Sequence, residues 1–235
     1  MYHNLKLKKS AIFVADSHFN KNNQEFLDFL EKLQNDEIRT SQLILMGDIF
    51  DFISGESRYF KKINNNIIKI LNKLSRNLQI VYLEGNHDYN LKKVFKDIYV
   101  IPRDKQPLIL KYEQKNIALS HGDNFTDWKY NLYCKVIRNS LLLKFLNLID
   151  INFFISKKIE NALLKKKICH NIDDFELLAK RRVKNYKENI IIEGHFHQGR
   201  TYTFNEQKYV NIPSLCCSKK YMVFEQCDFI VKDIL

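Results

Sequence analysis

The sequence predicts a layered α/β fold that carries a helical insertion. Five short apolar runs have the length and the Ile and Val content of buried strands, and each stops at a polar cluster. Apolar residues at helical spacing fill the first intervals between them. The stretch 128–187 departs from this rhythm, being rich in Leu, Phe, Ile and Lys without strand-like alternation. Strand alternating with helix implies stacked layers.

Taken in order, "AIFVA" (11–15) is the first strand. Basic residues precede it, as in a secretion signal, but the run stops at Asp16 and no small-residue cleavage site follows. Phe26, Phe29, Leu30 and Leu33 then mark a helix, "LILM" (43–46) a second strand, and Phe60, Ile63, Ile67, Ile70, Leu71 and Leu74 a second helical stretch. "IVYL" (80–83) and "IALS" (117–120) are the third and fourth strands. Within the insertion, "LLLKFLNLIDINFFI" (141–155) is the most hydrophobic segment. It contains Lys144 and Asp150 and falls short of the roughly 20 apolar residues that span a bilayer. "NIIIE" (189–193) is the fifth strand, and "RTYTFNEQKYVNIPS" and "YMVFEQCDFIVKDI" read as further strands with "NEQ" as a hairpin turn. With no repeat or flexible linker in its 235 residues, the chain reads as one domain. Residues 1–127 and 188–235 form the core, and 128–187 is the insertion.

The chain carries 38 Lys+Arg against 27 Asp+Glu, a formal charge of +11, which suits an anionic partner: phosphate, nucleotide, nucleic acid or an acidic membrane face. Charge alone does not choose among these. Cys134, Cys169, Cys216, Cys217 and Cys227 are odd in number and lack CxxC spacing, so neither a disulfide framework nor a zinc–thiolate site is expected. A reducing cytosol fits that usage.

The polar clusters are "DSH" (16–18), "GDIFD" (47–51), "GNHD" (85–88), "HGD" (121–123) and "GHFH" (194–197). Ligand sites of open α/β sheets lie beyond the carboxyl ends of strands, where every one of these clusters falls. They can converge. A single D-x-H or G-D is ordinarily a turn or a cap, but five clusters in order, each after an apolar run, call for another explanation. The candidate ligands are Asp16, His18, Asp48, Asn86, His121, His195 and His197. Carboxylates, imidazoles and one amide oxygen suit Mn²⁺, Fe²⁺, Zn²⁺ or Co²⁺. Seven ligands exceed the needs of one such ion, whereas two ions sharing a bridging carboxylate would use them all and could clamp both oxygens of a phosphoryl displacement. His3 and His170 lie outside the pattern and read as surface residues.

These clusters resemble the calcineurin-like metallophosphoesterase family, whose pattern runs D-x-H, G-D, G-N-H-D, H, then G-H-x-H. The resemblance implies a four-layer αββα sandwich. It also implies that Asp16, His18 and His197 hold one metal, that Asn86, His121 and His195 hold the other, and that Asp48 bridges. His87 would contact the phosphate and protonate the leaving oxygen, with Asp88 orienting its ring. The chain length, ligand spacing and inserted segment are similar to the UDP-2,3-diacylglucosamine pyrophosphatases of lipid A biosynthesis, as is "HGDNFTDWKYNLYCKVIRN" (121–139). That group often carries arginine where this chain has His87.

By that resemblance the protein is expected to be a Mn²⁺-dependent enzyme, peripheral on the cytoplasmic face of the inner membrane, that yields UMP and a diacylglucosamine 1-phosphate. The insertion would be a lid with an apolar groove, or alternatively a helical subdomain with its own core or a dimer face. Arg138, Lys180, Arg181 and Arg182 are candidate phosphate or headgroup contacts. The alternatives are the same chemistry on a soluble nucleotide, phosphodiester or phosphoprotein, and a non-catalytic scaffold that binds a partner or nucleic acid through its charge. Intact ligands argue against the scaffold, and a nucleic-acid partner would need a basic stripe continuous with the cleft.

Overall fold

A computed structural model describes residues 5–226 and 228–234. The first half runs β1 (Ala11–Val14), α1 (Glu25–Gln34), β2 (Gln42–Leu45), β3 (Ile53–Ser54), α2 (Arg58–Ile63), α3 (Asn65–Leu74), β4 (Gln79–Leu83) and β5 (Asp88–Tyr89). It continues through β6 (Tyr99–Ile101), β7 (Leu108–Tyr112) and β8 (Lys115–Ser120). Four helices follow: α4 (Trp128–Ile137), α5 (Ser140–Ile149), α6 (Phe154–Leu163) and α7 (Phe175–Val183). The chain closes with β9 (Ile190–Glu193), β10 (Thr201–Phe204), β11 (Gln207–Asn211), α8 (Leu215–Ser218), β12 (Lys220–Glu225) and β13 (Asp228–Asp233).

A six-stranded sheet, β13-β12-β1-β2-β4-β6, packs against a five-stranded sheet, β10-β11-β9-β8-β7. The period-two alternation of strand side chains sorts the core into layers. From β1, Ile12 and Val14 join Phe26, Phe29, Leu30, Ile67 and Leu71 under α1 and α3, whereas Phe13 faces Ile117 and Ile192 between the sheets. From β8, Ala118 turns outward to Phe175, Ala179 and Val183 of α7. The result is an α/β/β/α sandwich in which α7, the last helix of the 128–187 stretch, supplies one outer layer.

The helical stretch read over 60–74 breaks at Asn64. That residue is 4% exposed and donates from Nδ2 to the Phe52 carbonyl at 3.3 Å, which separates α2 from α3 and leaves Ile63 at the surface. Strands β6 and β7, which no periodic signal had marked, complete the two sheets.

Helices α4 to α6 attach to the core through Glu56. Its carboxylate accepts from Ser140 Oγ at 2.6 Å and from Asn90 Nδ2 at 2.9 Å, and its carbonyl accepts from Asn147 Nδ2 at 2.8 Å. Tyr59 Oη adds a bond to Glu160 of α6 at 2.6 Å. Among the described residues no helix is long and apolar enough to cross a membrane.

Arg182, a candidate substrate contact in the sequence, is instead a structural ion. It is 6% exposed, and its guanidinium donates to Glu193 at 3.0 and 2.5 Å and to Asn124 at 2.7 and 2.9 Å. Removing one member of a buried pair strands the other charge. We therefore expect Arg182→Ala to lower the urea-unfolding free energy by about 3–5 kcal/mol. Arg181→Ala, on the exposed side of the same helix, should stay within about 0.5 kcal/mol of wild type.

Candidate metal centre

Asp16 and His18 follow β1, Asp48 follows β2 and Asn86 follows β4, three adjacent parallel strands of one sheet. His121 follows β8, and His195 and His197 follow β9, parallel neighbours in the other sheet. All seven thus emerge at carboxyl ends of strands, at one edge of the interface between the sheets. Asp16, His18, Asp48, His195 and His197 have backbone φ values of 50, 41, 52, 64 and 63°. Left-handed backbone at such residues costs on the order of 1–3 kcal/mol each and persists only where the surroundings enforce it. Five of the candidate ligands are therefore held in strained positions.

Asp16 Oδ2 accepts the His195 backbone N–H at 2.8 Å, while Oδ1 lies 3.3 Å from His197 Nε2. Asp48 Oδ1 accepts the His87 backbone N–H at 2.8 Å, and Oδ2 lies 3.5 Å from His121 Nε2. That nitrogen is also 3.2 Å from Asn86 Oδ1. His121 Nδ1–H donates to the Met46 carbonyl at 2.8 Å, which turns Nε2 into the cleft, where a metal would replace its proton. The ligand atoms of Asp16, His18 and His197 lie within 4.8 Å of one another, as do those of Asp48, His121 and His195.

Two glycines make this approach possible. A Cβ at Gly85 would stand 2.2 Å from Asp48 Oδ1, and one at Gly47, where φ is +91°, would stand 2.5 Å from His121 Nδ1.

The donor set fits divalent cations on a further ground. Both ring nitrogens of His18 are buried without a hydrogen-bond partner, and Asp16 Oδ1, equally buried, has only the 3.3 Å approach of His197 Nε2. Buried polar atoms left so cost on the order of 1–3 kcal/mol each. Nitrogen and oxygen donors with orphaned lone pairs aimed at one cleft are what a borderline divalent metal satisfies.

Burial pushes the Asp48 carboxyl up, but the fields of His121, His87 and His18 hold it well below the usual carboxylate range. Asp16 is likewise pushed up by burial and brought below its ordinary value by His197 and His121. Burial drives His18 and His195 down to about 4, so both are neutral at pH 7. Burial lowers His121 too, yet the Asp48 carboxylate raises it to about 10; His197 is raised in the same way by Asp16.

His87 Nδ1–H donates to the Asp51 carbonyl at 2.6 Å, which orients the ring. This corrects the role expected of Asp88, which turns away from His87. The Asp88 carboxylate accepts from Asp48 N at 3.1 Å, Ile49 N at 2.7 Å, Gly85 N at 2.7 Å and Tyr82 Oη at 2.5 Å. It positions the ligand loops and does not touch the imidazole.

The basic candidates need similar correction. Arg138 donates to the Gly85 carbonyl at 2.6 Å, pairs with Glu84 and Asp123 at 3.6 Å each and stacks over Tyr89, so it clamps α4 to the loop after β4. Lys180 and Arg181 are exposed on α7 and do not line the cleft. The residues that do line it are Lys166, Lys167 and His170, beside His18, Asp48, His87 and His197. His170, read as an ordinary surface residue, sits at the mouth of the cleft with its ring 6.1 Å from that of His197. His3 lies outside the described residues. The cysteine reading is also corrected, because Cys169 and Cys217 are joined in a disulfide across 48 residues. Their spacing carried no motif; only the fold brings them together.

A family model described as calcineurin-like phosphoesterase matches residues 10–199. The chain belongs to that family. It is 27% identical over 214 residues to the UDP-2,3-diacylglucosamine hydrolase of Wigglesworthia glossinidia brevipalpis, covering 85% of this chain and 84% of that protein. It is 27% identical over 228 residues to the protein of the same name from Blochmanniella pennsylvanica, covering 90% and 89%. In fold it is similar to Yfce, a phosphoesterase from E. coli, with a TM-score of 0.50 and 11% identity over 96% of this chain and 93% of that one. Family and relatives make the protein a hydrolase of phosphoester or pyrophosphate bonds, and the family implies divalent metal ions.

Without metal at pH 7, His121 carries a proton that a metal must displace. Affinity for divalent metal therefore rises with pH. We expect loading at pH 7 to release about one proton from His121 and a fraction more from His197. Calorimetry in buffers of different ionisation enthalpy measures this, and proton-neutral loading would contradict the assignment.

Proposed function

We propose that the protein hydrolyses the pyrophosphate of UDP-2,3-diacylglucosamine to UMP and 2,3-diacylglucosamine 1-phosphate, a step of lipid A biosynthesis. The observation that carries this reading is an apolar cavity of about 490 Å³ that opens on Asn86 and His87. Tyr133 and Ile137 of α4, Leu142 and Leu146 of α5, and Ile159 and Leu163 of α6 line it. A generic phosphodiesterase has no use for an alkyl-sized groove ending at its reactive centre. The relatives' printed substrate has acyl chains to fill one.

In this reading α4 to α6 act as the lid, and α7 belongs to the core. Asp16, His18 and His197 would hold one metal, Asn86, His121 and His195 the other, with Asp48 shared; Mn²⁺ is the ion we favour. Bound there, the ions supply Lewis-acid stabilisation of phosphoryl charge and a nucleophilic water at neutral pH. His87, held through Nδ1, presents Nε2 to the cleft, where it contacts the phosphate and donates a proton to the departing oxygen. Lys166 and Lys167 add positive charge at the mouth, on the side where a diphosphate enters.

Helix α5 adds a reason to place the enzyme on a membrane surface. Leu143 and Leu146 face inward, yet Leu141, Phe145 and Leu148, spaced to share the opposite face, are 75%, 57% and 76% exposed. A ten-residue helix that is apolar on both faces, with Lys144 exposed on it, suits the interface of an anionic bilayer. The substrate would reach the inner face from the same lipid.

With Mn²⁺, the protein should release UMP from UDP-2,3-diacylglucosamine, and chelation or Asp48→Ala should reduce the rate by a factor on the order of 10³ or more. Leu146→Trp should raise KM for the lipid while leaving bis-p-nitrophenyl phosphate turnover near wild type. Equal effects on both substrates would mean that the cavity is not the acyl site. Leu141→Asp combined with Leu148→Asp should weaken binding to vesicles containing phosphatidylglycerol by about tenfold or more, as sedimentation would show.

A further inference from the structure

The stretch 164–174 joins α6 to α7 without regular secondary structure, and it carries the basic residues of the cleft. Lys166, Lys167 and His170 line a cavity of about 180 Å³ together with His18, Asp48 and His197. Something must hold this arm in place. Among the described residues, the hydrogen bonds from 168–172 to the core run through Gln198, whose amide donates to the His170 carbonyl and accepts from Ile172 N–H, each at 3.1 Å. Ile172 also packs against the cluster under α7, and one tie is covalent: Cys169, at the centre of the arm, is bonded to Cys217 of α8.

Cys169 is exposed and Cys217 partly so, which leaves the bond open to small thiols and disulfides. Its Cys217 sulfur lies 3.7 Å from His197 Nδ1, so the anchor sits against the metal centre itself. An exposed disulfide exchanges readily with small thiols and disulfides, and accessible bonds of this kind are the labile, regulatory ones.

We propose that Cys169 and Cys217 form a reversible redox latch that holds the Lys166–His170 arm over the cleft, so that the disulfide form binds anionic substrate more tightly than the dithiol form. The latch rests on the phosphoesterase reading of the cleft and not on the identity of the lipid. Closure uses a low-molecular-weight disulfide. The thiolate of one cysteine attacks it and expels one small thiol, and the second cysteine then displaces the other from the mixed disulfide. Two protein thiols are oxidised, and two molecules of small thiol are formed. A reducing thiol pool reverses both steps. With the bond open, the arm keeps its Gln198 bonds and the packing of Ile172 against the cluster under α7, but Lys166 to His170 lose their covalent anchor, while the ligands on the strand ends stay in place.

The test uses the full chain loaded with Mn²⁺, equilibrated with oxidised glutathione or with a phosphine reductant. Alkylation read by mass spectrometry should find Cys169 and Cys217 protected in the first state and labelled in the second. Amide hydrogen exchange over 164–172 should speed up on reduction. KM for bis-p-nitrophenyl phosphate should rise about fivefold, with kcat within about twofold, because an interaction that binds ground and transition states alike is lost. Cys169→Ser should reproduce the reduced KM and ignore the reductant, and Cys216→Ser should respond as wild type does. Free Cys169 in the oxidised sample, or exchange and KM that do not change on reduction, would overturn the latch. A protein inert toward the UDP-lipid that still shows the redox-dependent diester KM would reject the lipid substrate and leave the latch supported.

Discussion

The buried carboxylate of Asp88 is the knot on which the centre depends. It gathers the N–H groups of Asp48, Ile49 and Gly85 and the Tyr82 hydroxyl, and so fixes the loop after β2 to the loop after β4. That closure helps hold Asp48 in its left-handed conformation and brings Asn86 alongside. The knot has an electrostatic weakness. Burial, and then the nearby Asp48 carboxylate, push Asp88 up to about 7, so its acceptor role is secure only when positive charge balances the cleft. Protonated histidines supply some of that charge and divalent cations would supply more, which couples occupancy of the site to the integrity of its loops.

A second closure joins the sheets. The His195 N–H reaches Asp16 Oδ2, His121 Nδ1 reaches the Met46 carbonyl, and Leu215 N–H reaches the Ala15 carbonyl at 3.0 Å. Each bond crosses between segments that belong to different parts of the chain. The centre is therefore the polar rim of the apolar core built from Phe13, Ile44, Ile117 and Ile192. Packing between the sheets sets the separation of the two halves of the site, and a cavity opened in that core would displace ligands without touching them.

The strands and ligand clusters were legible because their signals are local: a short Ile- and Val-rich run, a stop, and a motif at the stop. Asn64, by contrast, interrupts a continuous apolar period through a long-range bond to Phe52, and periodicity is blind to that bond. The same holds for Arg182 and Arg138, whose partners Glu193, Asn124, Gly85 and Asp123 are distant in the chain. A basic side chain reads as a surface charge until its buried acid is known. Lys166, Lys167 and His170 carried no motif because they belong to a loop that reaches the cleft only through the fold, and the adjacent Cys169 was hidden by an odd cysteine count.

Helix α5 is apolar on both faces, and only one of them meets the rest of the protein. Burying the inner stripe stabilises the helix whatever the outer one does, but the outer Leu and Phe side chains form an exposed apolar patch, which marks an interaction surface. Its inner stripe closes the cavity beside Asn86 and His87, and its outer stripe points away from the core. The Glu56 anchor holds the helix through polar bonds along one edge, at Ser140 and Asn147, without covering either stripe. Such an arrangement places an exposed apolar surface and an apolar groove about one helix diameter apart, on opposite faces of the same helix.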